Sequence, residues 1–348
     1  MCNASIFVPI MNTTKQRVVS GIRPTGYLHL GNYFGAMRNY VSMQHEYDCY
    51  FFVADWHSLT THPDTVALRN SVHRVIAENI ACGLDPNKVT LYVQSDVPEI
   101  AELYLYFNML AYKGELEKTT TFKDKVRLQP DNINAGLLTY PVLQAADIVI
   151  HRAVKVPVGK DQEQHLEMCR TFVQRFNYRY GTQLPEPTAY NNGEQLTKIL
   201  SLDGVGKMSK SENQMNTIYL ADDNESIIKK IKKAKTDAGP AEPNAAMPDY
   251  IANLFTLMQI VSTQEVYLKY LTDYNNSTTG NCIIRYGDFK SQLAEDIVQF
   301  ITPIRNKANE LLQDKVQLQN IIEQGKVKAR ASAQATIRIV RDALGLSL

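Results

Sequence analysis

The architecture of this chain is set by residues 18–32, which read Val18-Val19-Ser20-Gly21-Ile22-Arg23-Pro24-Thr25-Gly26-Tyr27-Leu28-His29-Leu30-Gly31-Asn32. The apolar start predicts a strand, and residues 33–43 have a helical pattern. Three glycines let the backbone turn tightly and approach a ligand. A helix that begins directly after such a loop offers unpaired N–H groups and a positive dipole end to phosphate. We call residues 20–32 the first glycine loop and expect His29 to donate a hydrogen bond to phosphate there.

Strand and helix patterns alternate after this loop. Continuous apolar runs at 49–55 and 89–93 predict strands buried on both faces, as in a parallel sheet. Between them, Asp64 and Gly83 bound a helical pattern as N-cap and C-terminal stop. Residues 98–111 predict a strongly apolar helix that fits the core and a subunit interface equally well. The alternation predicts an α/β fold built in layers.

A helix predicted from Tyr140 carries a row of polar groups. Pro141 suits its first turn, and Tyr140, Gln144 and Asp147 share one face because they are four and three residues apart. A solvent-exposed face is one interpretation of this row. The other sides of the helix are apolar, which favours burial instead, and a buried Asp147 needs a partner.

Two further turns suit a ligand site. Residues 155–162 read as strand, turn and helix start, with Asp161 and Gln164 at capping-box spacing, and open α/β sheets bind ligands at such places. After a short strand predicted at 199–202, the chain continues as Asp203-Gly204-Val205-Gly206-Lys207-Met208-Ser209-Lys210-Ser211. We call residues 203–211 the second glycine loop. Its lysines are flexible point charges that suit the negative charge of a leaving pyrophosphate.

Three other regions differ in character. Residues 113–132 are charged and lack a strong helical pattern, so we expect a mobile loop, with a solvated linker as the alternative. Lysines at 229, 230, 232, 233 and 235 fit a solvated face and an RNA-backbone contact equally well. No strand pattern follows residue 220, and helices are predicted at 250–261, 264–271, 288–312 and 322–344.

Composition narrows the class of protein. The chain has 348 residues, 44% of them apolar and 21% charged, with a net charge of +1, so any nucleic-acid contact needs a local patch. The cysteines, at 2, 49, 82, 169 and 282, form no C-x-x-C pair, which predicts neither a metal site nor disulfides and fits the cytoplasm. No apolar run is long enough to span a membrane, and the first ten residues lack a basic signal-peptide region. We expect residues 1–14 to be a loose extension, with Met11 as a possible alternative start.

Two signatures in this order resemble those of class I aminoacyl-tRNA synthetases. Residues 24–32 resemble the "HIGH" signature, and residues 207–211 match "KMSKS". Residues 20–26, 31–33, 140–147 and 156–162 are similar to bacterial-type tryptophanyl-tRNA synthetases. The resemblance runs from about Val18 to the end of the chain.

This resemblance implies an α/β fold, with a Rossmann-type doubly wound parallel sheet and a C-terminal all-helical domain. It implies a catalytic domain at 15–215 with an inserted segment and dimer interface at about 60–135, an anticodon-binding domain at 216–320, and a helix at 321–348 that packs back on the catalytic domain. The implied activity is tryptophan–tRNA ligation with ATP and Mg²⁺. The implied partners are L-tryptophan, tRNA(Trp) and a second copy of the chain in a homodimer, with no membrane, no DNA and no protein-bound metal.

The family pattern also implies site residues. Those expected around ATP are Arg23, Pro24, Thr25, Gly31, Asn32, Gly159, Lys160, Asp161, Ile199, Lys207, Met208, Ser209, Lys210 and Ser211. Those expected around tryptophan are Gly21, Tyr140, Gln144, Asp147, Val156, Val158 and Gln162, with Asp147 accepting the indole N–H. Those expected to act on the phosphates are Thr25, His29, Lys125, Lys207 and Lys210.

Some positions depart from the common family pattern. Leu30 and Asn32 replace isoleucine and the final histidine of the first signature, and Lys160 stands where glutamate is common. Arg23 and Gln144 stand where glutamine and methionine are frequent. The alternatives are a tyrosyl-tRNA synthetase, an adenylyltransferase that never meets tRNA, and a non-catalytic synthetase-like RNA-binding protein.

Overall fold

A five-stranded parallel sheet forms the centre of the protein. The computed structural model describes residues 15–24, 26–159, 162–190, 198–209 and 214–347. The sheet has the order β3-β2-β1-β4-β5, and its strands are β1 (Arg17–Ile22), β2 (Asp48–Val53), β3 (Thr90–Val93), β4 (Lys155–Val156) and β5 (Thr188–Ala189). The order reverses between β1 and β4, which creates the crevice where doubly wound sheets bind ligands. The predicted fold class is confirmed.

Helices cover both faces of this sheet and also make up the C-terminal part of the chain. They are α1 (Leu30–Asn32), α2 (Arg38–Met43), α3 (Asp55–Ser58), α4 (Thr65–Ala81), α5 (Glu99–Asn108), α6 (Lys113–Leu116), α7 (Thr120–Leu128), α8 (Ala135–Leu138), α9 (Tyr140–Val149), α10 (Glu163–Tyr180), α11 (Asn224–Lys233), α12 (Asp249–Val261), α13 (Gln264–Asn275), α14 (Tyr286–Gln313) and α15 (Lys315–Leu344). A π-helical turn, Tyr33–Met37, joins α1 to α2. No described strand follows β5, as predicted for the helical C-terminal third.

Alternate side chains of each central strand point into two separate cores. Val18 and Phe51 pack on the side that includes residues of α4 and α14, whereas Val19 and Phe52 pack on the side that includes α5, α9 and α15. This two-residue alternation, with apolar groups on both faces, is typical of a parallel strand covered on both sides. At Gly21 a β-carbon would lie 2.5 Å from the ring of Phe52, so glycine is required beside that ring.

The last long helix lies directly on the sheet. At Gly325 of α15, a β-carbon would overlap the backbone carbonyl oxygen of Leu91 in β3. Arg330 donates to the Glu99 carboxylate at 3.0 Å, which connects α15 to α5. No helix in the described ranges is long and apolar enough to cross a membrane.

Three local predictions need correction. The prediction of a mobile loop at 113–132 is wrong, because α6 and α7 occupy most of this range. Leu116 is buried, and Thr119 is the N-cap of α7. The strand expected at 199–202 is also wrong, since Leu200 forms only a single antiparallel bridge to Lys207. Strand β3 falls inside the range expected for the inserted segment, yet it pairs with β2 in the central sheet.

The apolar helix expected at 98–111 is α5, and its core interpretation is confirmed. Ile100, Leu103 and Phe107 on α5 are fully buried in the core. Leu105 and Met109 are 51% and 72% exposed, so the same helix also presents an apolar surface.

Candidate active site

The first glycine loop is fixed by reciprocal hydrogen bonds. His29 caps α1: its Nδ1 accepts from the Asn32 N–H at 3.3 Å, and Asn32 Oδ1 accepts from the His29 N–H at 3.1 Å. In the neutral ring this leaves the proton on Nε2. The His29 residue is only 4% exposed. On α4, the buried carboxylate of Glu78 accepts the N–H of Leu28 at 2.9 Å.

An extended stretch, residues 217–220, runs beside the first glycine loop. We call it the linking segment. The N–H of Leu30 donates to the carbonyl of Ile218 at 3.0 Å, and the N–H of Leu220 donates to the carbonyl of Leu28 at 2.8 Å. The backbone on both sides of His29 is therefore held by the linking segment.

The same segment contacts the second glycine loop. Thr217 Oγ1 donates to the carbonyl of Ser209 at 3.0 Å. The loops also touch directly, because a β-carbon at Gly31 would lie 3.3 Å from Cβ of the buried Met208. The two signatures, separated by more than 170 positions in the sequence, thus meet in one place.

A partly buried polar network shapes the turn of the second glycine loop. Asp203 accepts from the Ser201 hydroxyl at 2.5 Å and from the Val205 N–H at 2.9 Å, and these bonds lower the pKa of Asp203. Gly204 has φ of +78°, and a β-carbon there would lie 2.6 Å from Tyr250. Glycine at this position is therefore required by both backbone and space.

The remaining residues expected around ATP divide into two groups. The first group lies within the described ranges. Pro24 and Ile199 are buried, and the Ile199 carbonyl accepts the Met208 N–H at 3.0 Å. The Gly159 carbonyl accepts the Gln162 N–H at 2.9 Å. The expected residues outside the described ranges are Thr25, Lys160, Asp161, Lys210 and Ser211.

Asp147 is fully buried and has two partners that sequence analysis missed. Its Oδ2 lies 2.7 Å from His57 Nε2, and its Oδ1 accepts from Gln94 Nε2 at 2.7 Å. Burial raises the pKa of Asp147, and the contacts from His57 and Gln94 oppose that rise. A histidine just after a central parallel strand was the available signal for His57.

Two polar atoms of this network have no protein partner. Among the residues that the structure describes, His57 Nδ1 and Gln94 Oε1 are buried without a hydrogen bond. Buried polar atoms are rarely left unpaired in folded proteins. This arrangement is typical of a site that a polar ligand completes.

A second histidine joins two residues expected around tryptophan. His165 Nδ1 lies 3.0 Å from the side-chain oxygens of both Gln144 and Gln162. Because both oxygens only accept, Nδ1 carries the proton and is shared between them. The ring of Tyr140 lies 4.4 Å from that of His57 and 6.0 Å from that of His165, measured between centroids. The polar row on α9 therefore faces one enclosed polar cluster.

Lys125 approaches the same cluster from α7. Its Nζ lies 3.8 Å from the centroid of the Tyr140 ring, in a cation–π contact. Burial, and to a smaller extent the charge of Arg23, lowers the pKa of Lys125 to about 8. The structure thus brings Lys125 and Arg23 together near the residues expected around tryptophan.

The other residues expected around tryptophan differ in burial. Val156 is buried in β4, whereas Val158 is half-buried and Gly21 is exposed.

One of the five clustered lysines is not on the protein surface. Lys230 is buried, and its Nζ donates to Asp222 Oδ2 at 2.6 Å and to the Thr217 carbonyl at 2.9 Å. The interpretation of all five as a solvated or RNA-binding face is therefore wrong for Lys230. Lys229, Lys232, Lys233 and Lys235 are exposed.

Known proteins match this arrangement along almost the whole chain. The family model described as "tRNA synthetases class I (W and Y)" matches residues 11–302. A tryptophan–tRNA ligase from Porphyromonas gingivalis is 56% identical over 331 residues, which cover 95% of this chain and 99% of that relative. The chain belongs to the bacterial-type tryptophanyl-tRNA synthetases.

Further relatives of this synthetase agree in sequence and in structure. A tryptophan–tRNA ligase from Rickettsia felis is 41% identical over 95% of this chain and 99% of its own length. The crystal structure of a tryptophanyl-tRNA synthetase from Campylobacter jejuni, complexed with ADP and tryptophan, superposes with a TM-score of 0.83 at 33% identity, covering 95% of this chain and 100% of that one. The family resemblance seen in the sequence is confirmed.

Proposed function

We propose that this tryptophan–tRNA ligase performs both of its reaction steps at the junction of the two glycine loops. The observation that carries the proposal is the contact of Gly31 with Met208, reinforced by the linking segment. It supports a site in which the helix N-terminus at His29 and the described part of the second glycine loop, up to Ser209, meet the same ligand. Lys207 belongs to this part of the loop, and Lys210 follows it in the sequence. Such a pairing suits a triphosphate.

In the first step, a carboxylate oxygen of tryptophan attacks the α-phosphorus of ATP. The bond from that phosphorus to the bridging oxygen breaks, pyrophosphate leaves, and tryptophanyl-adenylate stays bound. Positioning the two reactants can supply ~7–11 kcal/mol of the barrier. The residues proposed to meet the phosphates are Thr25, His29, Lys125, Lys207 and Lys210. Closure of the second glycine loop would complete the site as ATP binds.

Mg²⁺ would enter this site with the nucleotide. In the described part of the chain, no three His, Cys, Asp or Glu side chains are grouped to hold a metal ion. Phosphate oxygens of the nucleotide would supply its ligands, and the ion would neutralise phosphate charge. The other proposed ATP contacts are Arg23, Pro24, Gly31, Asn32, Gly159, Lys160, Asp161, Ile199, Met208, Ser209 and Ser211.

Asp147 is proposed to select tryptophan by accepting the indole N–H. Each carboxylate oxygen can accept more than one hydrogen bond, so the contacts with His57 and Gln94 leave capacity for a ligand. A side chain without an N–H would displace water from this buried carboxylate and give it no hydrogen bond beyond those from His57 and Gln94, and a buried hydrogen bond left unmade costs ~1–3 kcal/mol. Such sites reject the wrong substrate strongly without editing. Further proposed tryptophan contacts are Gly21, Tyr140, Gln144, Val156, Val158 and Gln162.

In the second step, the terminal ribose hydroxyl of tRNA(Trp) attacks the activated carbonyl and AMP leaves. Residues 216–320 are proposed to read the anticodon, next to a catalytic domain at 15–215, and residues 321–348 to stabilise that domain. The exposed lysines 229, 232, 233 and 235 could contact the RNA backbone.

A homodimer is proposed on the surface around α5–α8. Several large apolar side chains near this surface are more than half exposed, namely Leu105, Met109, Tyr112, Leu128 and Ile133. Exposed apolar groups of this size favour a protein interface. The proposed compartment is the cytoplasm, where tRNA is charged.

Amino-acid-dependent exchange of pyrophosphate into ATP tests the proposed activity. Tryptophan should support exchange, whereas tyrosine and phenylalanine should not. Exchange with tyrosine alone would show a tyrosyl-tRNA synthetase, and exchange without charging of tRNA(Trp) would show an adenylyltransferase. No exchange with any amino acid would indicate a non-catalytic RNA-binding protein.

A further inference from the structure

A buried lysine outside both signatures is connected to both of them. We propose that Lys230 is a positioning residue that holds the linking segment, residues 217–220, and through it residues 207–209 of the second glycine loop, in the position that ATP requires. This inference rests on the proposed function, because it concerns the same site.

The ammonium of Lys230 is enclosed by the linking segment and the turn that follows it. The residue is 7% exposed, and its Nζ lies 2.6 Å from Asp222 Oδ2, 2.9 Å from the Thr217 carbonyl and 4.9 Å from the centroid of the Tyr219 ring. A buried charge is tolerated only where such partners compensate its lost hydration. The position of Thr217 is therefore tied to that of Lys230.

A single residue, Thr217, bridges Lys230 and the second glycine loop through hydrogen bonds. Thr217 is fully buried; its carbonyl accepts from Lys230, and its hydroxyl donates to the carbonyl of Ser209. Ser209 lies within the Lys207–Ser211 signature. A shift of Thr217 would thus move the backbone of Ser209, two residues after Lys207.

Asp222 connects the same lysine to the first glycine loop. Asp222 Oδ2 also accepts the N–H of Tyr219 at 2.8 Å, and Tyr219 forms a single antiparallel bridge with His29. Lys230 is carried by α11, which packs on α14 of the helical part of the chain. The helical part therefore supplies a charged anchor to both glycine loops.

Four variants test this role. Lys230→Met removes the anchor, and Lys230→Arg keeps the charge. Thr217→Val removes the Thr217 hydroxyl, with its hydrogen bonds to the Ser209 carbonyl and to the Tyr219 side chain, and leaves the Lys230–Asp222 pair in place. Lys307→Met is the matched control, because Lys307 is an exposed lysine on α14, the helix on which α11 packs.

Exchange of pyrophosphate into ATP is measured with ATP and tryptophan varied separately, and rates are divided by titrated active sites. We expect Lys230→Met to lower kcat/KM for ATP about tenfold, the order of effect of one lost hydrogen bond involving a charged group. Thr217→Val should lower it about fivefold, because a hydrogen bond between neutral groups contributes less. The KM for tryptophan should change less than about twofold, since these contacts lie away from Asp147. Lys230→Arg should recover part of the loss, and Lys307→Met should match the unmodified protein.

A purely structural role gives a different result. In that case Lys230→Met lowers the unfolding temperature, while kcat/KM for ATP per active site stays unchanged in both Lys230→Met and Thr217→Val, and the inference is overturned. If Lys230→Met does not fold, the test rests on Thr217→Val alone, and an unchanged kcat/KM for ATP in that variant overturns the inference. If the unmodified protein shows no tryptophan-dependent exchange, the proposed function fails, which is a separate outcome.

Discussion

Raising the pH from about 7 to about 9 should reduce kcat/KM for ATP roughly tenfold, because Lys125 loses its proton in this range. Burial disfavours the charged form of a lysine, and the nearby Arg23 guanidinium adds repulsion, so the pKa of Lys125 falls to about 8. The ammonium therefore predominates below this pH and the neutral amine above it. Only the ammonium attracts phosphate oxygens strongly.

The size of the effect follows from the pKa. With a value of about 8, the protonated fraction of Lys125 is about nine tenths at pH 7 and about one tenth at pH 9. The phosphates of ATP would restore the proton, because an adjacent negative charge raises a lysine pKa. At a pH of about 8.5, binding of ATP should then take up about three quarters of a proton per site.

Two measurements check these numbers. Exchange at limiting ATP and saturating tryptophan gives kcat/KM across the pH range, and calorimetric titration with ATP in two buffers of different ionisation enthalpy gives the proton uptake. Lys125→Arg keeps its charge throughout and should show a flat profile in this range. Lys123→Met, which changes an exposed lysine on the same helix, should follow the unmodified protein. An equal decline in Lys125→Arg would refute the assignment.

Three other substitutions probe separate parts of the molecule. Lys210→Ala should slow adenylate formation by ~10²–10³ with little change in tryptophan affinity, and an unchanged exchange rate would remove this lysine from the mechanism. Asp147→Asn should reduce the ratio of kcat/KM for tryptophan to that for phenylalanine while thermal unfolding stays cooperative; loss of folding would make Asp147 structural. Gly325→Ala should destabilise the fold by ~2–4 kcal/mol in thermal unfolding, since its β-carbon would overlap the Leu91 carbonyl. Gly287→Ala is its control, because a β-carbon there meets open space. Equal unfolding temperatures for Gly325→Ala and Gly287→Ala would contradict the packing argument.

Local signals explain why the glycine loops could be predicted from the sequence. The first loop combines a buried strand, glycines and a capping residue within about 15 positions, and each of these features acts over a few neighbours. The burial of Asp147 could also be predicted, because the other sides of its helix are apolar. In each case the sequence pattern itself contains the physical cause.

Contacts between distant residues were not predictable in this way. His57 and Gln94 lie 90 and 53 positions from Asp147, so no local pattern connects them. The helices between 113 and 128 depend on similar contacts: Arg175 of α10 binds Glu115 at 2.5 Å and also the carbonyl of Leu110 at 3.1 Å. The many charged residues in this range suggested a loop. Composition alone does not show which distant residues will pair with those charges.

The closeness of α15 to the sheet has a consequence for the order of events in the cell. Residues 315–344 leave the ribosome after every strand of the sheet, yet Ala329, Ala333, Ile337 and Val340 complete one of its two cores. Until they arrive, the nascent β3 exposes an apolar face to water and to chaperones. Translation that stalls before residue 325 would therefore release a polypeptide prone to aggregation and degradation, rather than a shortened enzyme with residual activity.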